Sequence, residues 1–351
     1  MHSTQINSFL SSIEKELSKI KYGINPKELY QPIEYTMGLG GKRIRPLFLL
    51  LSCDLFEGRI ADAMNPALAV EIFHNFTLVH DDIMDNAPLR RNKPTVYKQW
   101  NKNIALLSGD VMLVWTYRLL SKCPKSKFLK VLSVFNEIAI QVCEGQQLDM
   151  NLEALPLLAQ TGKNSQIPIS DSEEKTLPHA NLLGGVSYIE MISLKTAALI
   201  AGCCQIGAIL GGASRSDANH LFEFGKNLGI AFQLQDDLLD VFGNSAKFGK
   251  QTGGDIIENK KTFLLLKAFE LANETGRKKL HDIFLKDKIS STDKINAVKK
   301  IYDNLGIKGE TEKEIKKYFS LAKKELIKIK AAKNKKLQFL AFVSGLMKRE
   351  M

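Results

Sequence analysis

Residues 81–85, DDIMD, and 236–240, DDLLD, carry one acidic pattern at two places in the chain. On a helix, Asp81 with Asp85, and Asp236 with Asp240, lie on one face a turn apart. Like charges at that spacing destabilise an isolated helix, and a bound divalent cation is the usual compensation. Ligands that are all carboxylate oxygens suit Mg²⁺, which keeps several waters and shares its remaining positions with phosphate. A solvated acidic helix end is the plain alternative for either copy alone; two copies within strongly apolar segments make it the weaker one.

Cations accompany both patterns. Arg90 and Arg91 follow the first past a proline, and GLGGKRIRP (38–46) brings Lys42, Arg43 and Arg45 into a glycine-rich turn ahead of an apolar run. Guanidinium forks match phosphate oxygens bidentately, and lysine adds point charge. Lys195-Thr196 sits inside the apolar stretch MISLKTAALIAG, where an unpaired ammonium is costly, so it requires an anion. Lys250, Lys260 and Lys261 follow the second pattern around a Gly-Gly turn whose amides can also face anions. One basic residue near a turn is ordinarily just solvated; four groups beside two acidic patterns form a device. Carboxylates hold divalent cations, the cations and the Arg/Lys groups hold a diphosphate, and apolar helices exclude water. An apolar tail bearing a diphosphate fits, because neutralising the diphosphate makes it a leaving group and a dry pocket protects the resulting carbocation.

The elements that must position these residues read as helices. Residues 61–85 and 217–243 repeat apolar side chains at helical spacing, and further helices are expected at about 42–57, 95–120, 125–151, 187–210, 262–275 and from about 311 onward. Start signals are Asn25-Pro26 with Glu28, and Ser216-Asp217. The fold class expected is all-α, a single domain over 1–351. Residues 153–186, with three prolines and no sustained period, read as a flexible insertion. On the second helix Gly225 and Gly229 lie in line with Asp236, either permitting close helix packing or leaving a hollow for a tail. On the first, His74 lies in line with Asp81, with Thr77 between them; a core histidine and a substrate ligand are both open readings.

The formal charge of +11 permits an anionic partner without selecting one. No nucleic-acid motif or aromatic stacking pattern accompanies it, so no nucleic-acid partner is expected. Five cysteines without a CxxC pair read as reduced core residues. The first twenty residues lack a basic-then-apolar leader, and no uncharged apolar run reaches membrane-spanning length, so the expectation is a cytoplasmic protein. The Lys-rich C-terminal stretch reads as a solvated helix, with at most weak attraction to a membrane surface.

The motifs together resemble the all-trans polyprenyl diphosphate synthases of the short-chain type. The resemblance rests on GGKRIRP (40–46), DDIMD with LRR (81–91), GQQLD (145–149), SLKT (193–196), FQLQDDLLD (232–240) and GKQTGGD with NKKT (249–262), in that order. It implies a helical bundle around a central cavity, a homodimer, Mg²⁺ as cofactor, and condensation of isopentenyl diphosphate with an allylic diphosphate. Carried over by position, it places Lys42, Arg45, His74 and Arg91 on isopentenyl diphosphate. Arg90, Lys195, Thr196, Gln233 and Lys250 fall to the allylic diphosphate, and Asp81, Asp85 and Asp236, with Asp240 beside them, to the metal. Gln146, Asp149 and Lys260 would support these groups. Lys195, Thr196 and Gln233 would also stabilise the allylic cation. The 153–186 stretch is longer than the resemblance accounts for.

With the diphosphate at Asp81 and Asp85, the growing tail runs back along the first helix toward Thr77, Phe76 and Phe73. Phenylalanines at that spacing are ordinarily core, yet the resemblance assigns an aromatic at this position to short-chain members. The product expected is therefore C20 ahead of C15. Two rivals stand beside this reading. A terpene cyclase needs no second diphosphate site, and a non-catalytic partner subunit commonly lacks one acidic motif.

Overall fold

The computed structural model describes residues 2–154, 187–243, 252–285 and 289–349. Beyond Glu153 and Ala154 the expected insertion lies outside the described residues, as does Lys250. The all-α expectation holds. The described helices begin with α1 (His2–Ser18), α2 (Lys27–Gly38), α3 (Ile44–Leu55), α4 (Ile60–Met84), α5 (Val96–Gln99), α6 (Lys102–Leu120) and α7 (Lys125–Ala154). They continue with α8 (Tyr188–Ile192), a π-helical turn at Ser193–Ala197, α9 (Ala198–Gly211) and α10 (Arg215–Phe242). Six more follow, at Gly254–Ile257, Phe263–Leu271, Glu274–Leu285, Ser291–Asn304, Ile307–Lys328 and Lys333–Arg349.

Three local departures from the periodicity reading have physical causes. The expected helix at 95–120 is two, because Trp100 and Asn101 leave helical geometry and the Asn101 side chain accepts a hydrogen bond from the Ile104 amide, capping α6. Between α4 and α5 the chain forms a ribbon of Leu89–Arg90 and Lys93–Pro94, antiparallel, joined by Arg91 and Asn92 at φ 53° and 60°. That is the geometry of a type I′ turn, here with an arginine in the left-handed position. The start of α10 is set by Ser214, whose hydroxyl accepts from the Asp217 amide and donates to the Asp217 carboxylate, two residues earlier than the sequence signal.

The chain divides into two compact units. The first comprises Met1–Glu137, Leu199–Glu223 and Glu325–Phe342, and the second Ile138–Ala198, Phe224–Lys324 and Val343–Met351. Each draws on three stretches, so neither is a continuous segment and α7 and α10 contribute to both. The core of the first unit gathers Leu47, Phe48, Leu49, Leu50, Ile72, Phe73 and Phe135, all nearly free of solvent, with Phe48 against the rings of Phe339 and Phe342. Helices α3 and α9 meet through Gly207, where an added Cβ would fall 2.2 Å from the Leu49 carbonyl oxygen. In the second unit α10 meets the π turn through Gly229, whose Cβ would lie 2.6 Å from Ala197. Of the two readings offered for this glycine, close packing is the one realised. Residues 188–211 have the length and apolarity of a membrane span although they include Glu190 and Lys195, and most of the stretch is buried in the protein.

Candidate active site

In the first unit the glycine-rich turn sorts its three cations. Gly40 has φ 77° and Arg43, at φ 46°, opens α3. This backbone drives the Arg43 side chain inward, where it pairs with Glu71 at 2.7 Å and Glu14 at 2.8 Å and donates to the Met37 carbonyl. Arg43 is thus a buried strut, while Lys42 stays exposed. Arg45 projects to α4 and donates through Nη1 to Nε2 of His74 at 3.0 Å. Burial first, then the guanidiniums of Arg45, Arg91, Arg90 and Arg43, hold the His74 pKa well below its ordinary value, so the ring is neutral and accepts. The Arg91 guanidinium lies over Gly41, where a Cβ would sit 3.0 Å from Nη2. Arg45 and Arg91 thus stand beside a neutral histidine, and guanidiniums so placed match the oxygens of a diphosphate.

The first acidic motif ends α4. Asp85 is the C-cap and its amide donates to the Asp81 carbonyl at 2.8 Å, so the last turn keeps its helical register. Asp85 is exposed and Asp81 half-buried, whereas Asp82 is buried and accepts from Nε and Nη2 of Arg90, at 2.8 and 2.7 Å. The middle carboxylate therefore aims Arg90 while its neighbours stay at the surface. Below the motif, Thr77 donates to the His74 carbonyl. Phe76 is half-buried against His80 and Phe73, with ring centroids at 4.7 and 5.6 Å. Phe73 is core, 1% exposed and edge-on to Phe135; only Phe76 keeps an accessible face.

In the second unit a cavity of about 200 Å³ collects Asp149, Lys195, Thr196, Gln233, Asp237, Asp255 and Lys260 among its lining residues. The π turn that carries Lys195 and Thr196 presses on α7 at Gly145. Lys195, which the sequence left in need of an anion, pairs with Asp149 at 2.5 Å. Thr196 donates to the Gln233 side-chain oxygen at 3.1 Å. The second acidic motif repeats the arrangement of the first, with Asp236 exposed and Asp237 buried. Asp240 differs: its carboxylate accepts the Asp255 amide at 3.0 Å and its carbonyl accepts the Gly253 amide, organising the loop that follows. Lys260 lies 3.1 Å from Glu258 and 3.9 Å from Asp255, whereas Lys261 turns inward and donates to the carbonyls of Leu152 and Glu153 at the end of α7.

Burial raises the carboxyl groups of Asp237, Asp240 and Asp255 in this second set above their ordinary range. The Asp237 pKa is pushed up to about 8 by burial and then by the Asp255 carboxylate, and that of Asp255 to about 7 by burial and then by Asp240. Among the described residues no three His, Cys, Asp or Glu side chains form a chelating cluster. Reading the spacing alone gave no role to Asp82, Asp237, Asp255 or Tyr188, and it grouped Lys261 with the anion-facing cations although its ammonium is spent on the carbonyls of Leu152 and Glu153. For the two middle aspartates the signal existed, because one step along a helix turns a side chain by about 100°.

Comparison with known proteins agrees with this chemistry. Residues 26–305 match the polyprenyl synthetase family. A geranylgeranyl diphosphate synthase of Methanosarcina mazei is 34% identical over 268 residues, 76% of this chain and 75% of the relative. One from Sulfolobus acidocaldarius is 36% identical over 276 residues, 78% and 76% of the two chains. A solved geranylgeranyl pyrophosphate synthase, 38% identical, superposes with a TM-score of 0.84 over 98% of each chain. The chain belongs to the polyprenyl synthetase family and is a short-chain trans-prenyltransferase.

Proposed function

We propose that the chain joins isopentenyl diphosphate to an allylic diphosphate to give chiefly a C20 prenyl diphosphate, that it uses Mg²⁺, and that it works as a homodimer. The observation that carries the mechanism is the cavity of the second unit, where lysines, uncharged oxygen acceptors and carboxylates converge. Lys195 and Lys260 bind the allylic diphosphate there, while Asp82 holds the Arg90 guanidinium beside the first acidic motif. Lys42, Arg45 and Arg91 bind isopentenyl diphosphate, with neutral His74 keeping Arg45 extended. Asp81, Asp85 and Asp236 would hold Mg²⁺, which when bound supplies charge neutralisation to the departing diphosphate. Asp240 keeps its carboxylate on the loop amides and supports the site from behind.

The allylic carbon–oxygen bond breaks and the electron pair leaves with diphosphate. Oxygens of Thr196 and Gln233 face the allylic cation so formed, and the isopentenyl double bond attacks it. A proton then leaves the new chain to the released diphosphate, so no protein nucleophile is required. The separate arginine cluster around His74 disfavours a cyclase, which has no second diphosphate to bind.

The C20 product is supported by the relatives' names and by Phe76, whose ring keeps an accessible face below the first motif. The homodimer is supported by α6, which exposes Leu106, Leu107, Val114 and Tyr117 along one side. Incubation with Mg²⁺, isopentenyl diphosphate and allylic primers of increasing length, followed by product sizing, tests the reading. C20 diphosphate should dominate and a chelator should abolish it; products beyond C25 would overturn the assigned length.

A further inference from the structure

We propose that Asp237, clamped by Tyr188, is a positioning residue that fixes the side-chain amide of Gln233 with its oxygen turned toward Thr196 and the cavity. The inference rests on the cation-stabilising role given to Gln233 above and asks what enforces it.

A glutamine amide fills nearly the same volume in either of two orientations, and only its hydrogen-bond partners distinguish them. One orientation offers an oxygen to a developing carbocation; the other offers an NH₂ group whose positive end opposes it. The choice therefore decides the sign of the electrostatic contribution.

Asp237 makes that choice. It is 3% exposed and one turn beyond Gln233 on α10. Its Oδ1 accepts from Gln233 Nε2 at 2.9 Å, and its Oδ2 accepts from the Tyr188 hydroxyl at 2.5 Å. With Nε2 donating to Oδ1 and the tyrosine hydroxyl occupying Oδ2, the amide nitrogen of Gln233 is committed to Asp237. The Gln233 oxygen is consequently directed away, where it receives the Thr196 hydroxyl at 3.1 Å. Tyr188 holds the far oxygen, so the carboxylate cannot rotate and release Gln233. All four side chains line the same cavity. None of the groups bound by Asp237 is a diphosphate ligand in the mechanism above, so its second place in DDLLD is explained by Gln233 and not by metal.

The test is a set of variants in the full chain, Tyr188→Phe, Asp237→Asn, Gln233→Leu and Asp237→Asn with Gln233→Leu, each followed by kcat, by KM for both diphosphates and by thermal melting. Tyr188→Phe removes one hydroxyl and Asp237→Asn keeps the buried shape, so both should fold. The expected result is a fall of roughly 10- to 100-fold in kcat for Asp237→Asn, the loss of one preorganised dipole, with each KM changed less than about twofold. Tyr188→Phe should fall in the same direction by less. Once Asp237 is Asn, adding Gln233→Leu should cost little more, because the two act as one unit. Independent, multiplicative losses in the double variant would overturn the positioning role. So would unchanged kcat in Tyr188→Phe and Asp237→Asn while Gln233→Leu alone loses turnover, which leaves the role of Gln233 standing. If Gln233→Leu itself keeps its kcat, the cation role fails and the positioning role with it.

Discussion

Substituting Gly145 by alanine tests how closely turnover depends on the seating of the π turn. An added Cβ would lie 2.1 Å from the Lys195 amide nitrogen, 2.5 Å from its Cα and 2.7 Å from the Leu194 carbonyl carbon. Ordinary contact begins near about 3.4 Å, so the turn must retreat by roughly 1.3 Å. Overpacking of this kind costs about 1–3 kcal/mol, and replacing a mid-helix glycine by alanine returns about 1 kcal/mol of helix propensity. The net loss is then about 0–2 kcal/mol, a fall of a few degrees in Tm for a chain this long. The chemistry suffers more. Lys195 leaves Asp149, which is one turn further along α7, and Thr196 moves with it; a displacement near 1 Å in positioning groups costs about 10²-fold in rate. Gly309→Ala is the control, since nothing lies within 4 Å of a Cβ there. Steady-state kinetics with parallel melting separates the two effects. Near-wild-type turnover in Gly145→Ala would show that the turn can yield without disturbing Lys195 and Thr196.

Other consequences follow from the first unit. Phe76→Ala should lengthen the product and Phe76→Ala with Phe73→Ala should lengthen it further; Phe73 is core, so the double variant should also lose about 3–5 kcal/mol, and an unchanged product distribution in a folded double variant would place the cavity floor elsewhere. His74 has a folded-state pKa below that of the unfolded chain, so its contribution to stability is whole above about pH 6.5 and is lost as pH falls below it, at no more than about 1.4 kcal/mol per pH unit. Melting from pH 7.5 to 5.5 should therefore show a shallower acid slope in His74→Gln than in the parent, and equal slopes would contradict a neutral His74. Leu107→Glu with Val114→Glu should convert the proposed dimer to monomer in sedimentation, since both lie on the exposed apolar side of α6.

Much of this arrangement was legible in the sequence because it depends on helical period. The i, i+4 spacing placed the outer aspartates, and the apolar repeat located α4 and α10. The same periodicity hid the break at Trp100 and Asn101, since apolar residues continue on both sides. It also hid the π turn at Ser193–Ala197, where one widened turn leaves the apolar run uninterrupted. The partners of Lys195 and Asp237 were not legible, because Asp149 and Tyr188 are remote in sequence and only folding brings them close. Gly229 left two readings open that only the neighbouring Ala197 could decide. Neighbouring cations were likewise indistinguishable: Arg43 against Arg45, and Lys261 against Lys260, differ in backbone direction and not in residue type.

The central claim, that Asp81, Asp85 and Asp236 are the carboxylates that would hold Mg²⁺, is tested most directly by Asp81→Ala and Asp236→Ala. Turnover of isopentenyl and allylic diphosphates is measured across a Mg²⁺ titration, with circular dichroism on each variant. Both side chains reach the surface and neither belongs to the buried core, so helical content should match the parent. Condensation should vanish in each at every Mg²⁺ concentration that saturates the parent, and either variant retaining near-parental turnover at the parental Mg²⁺ optimum would contradict the account.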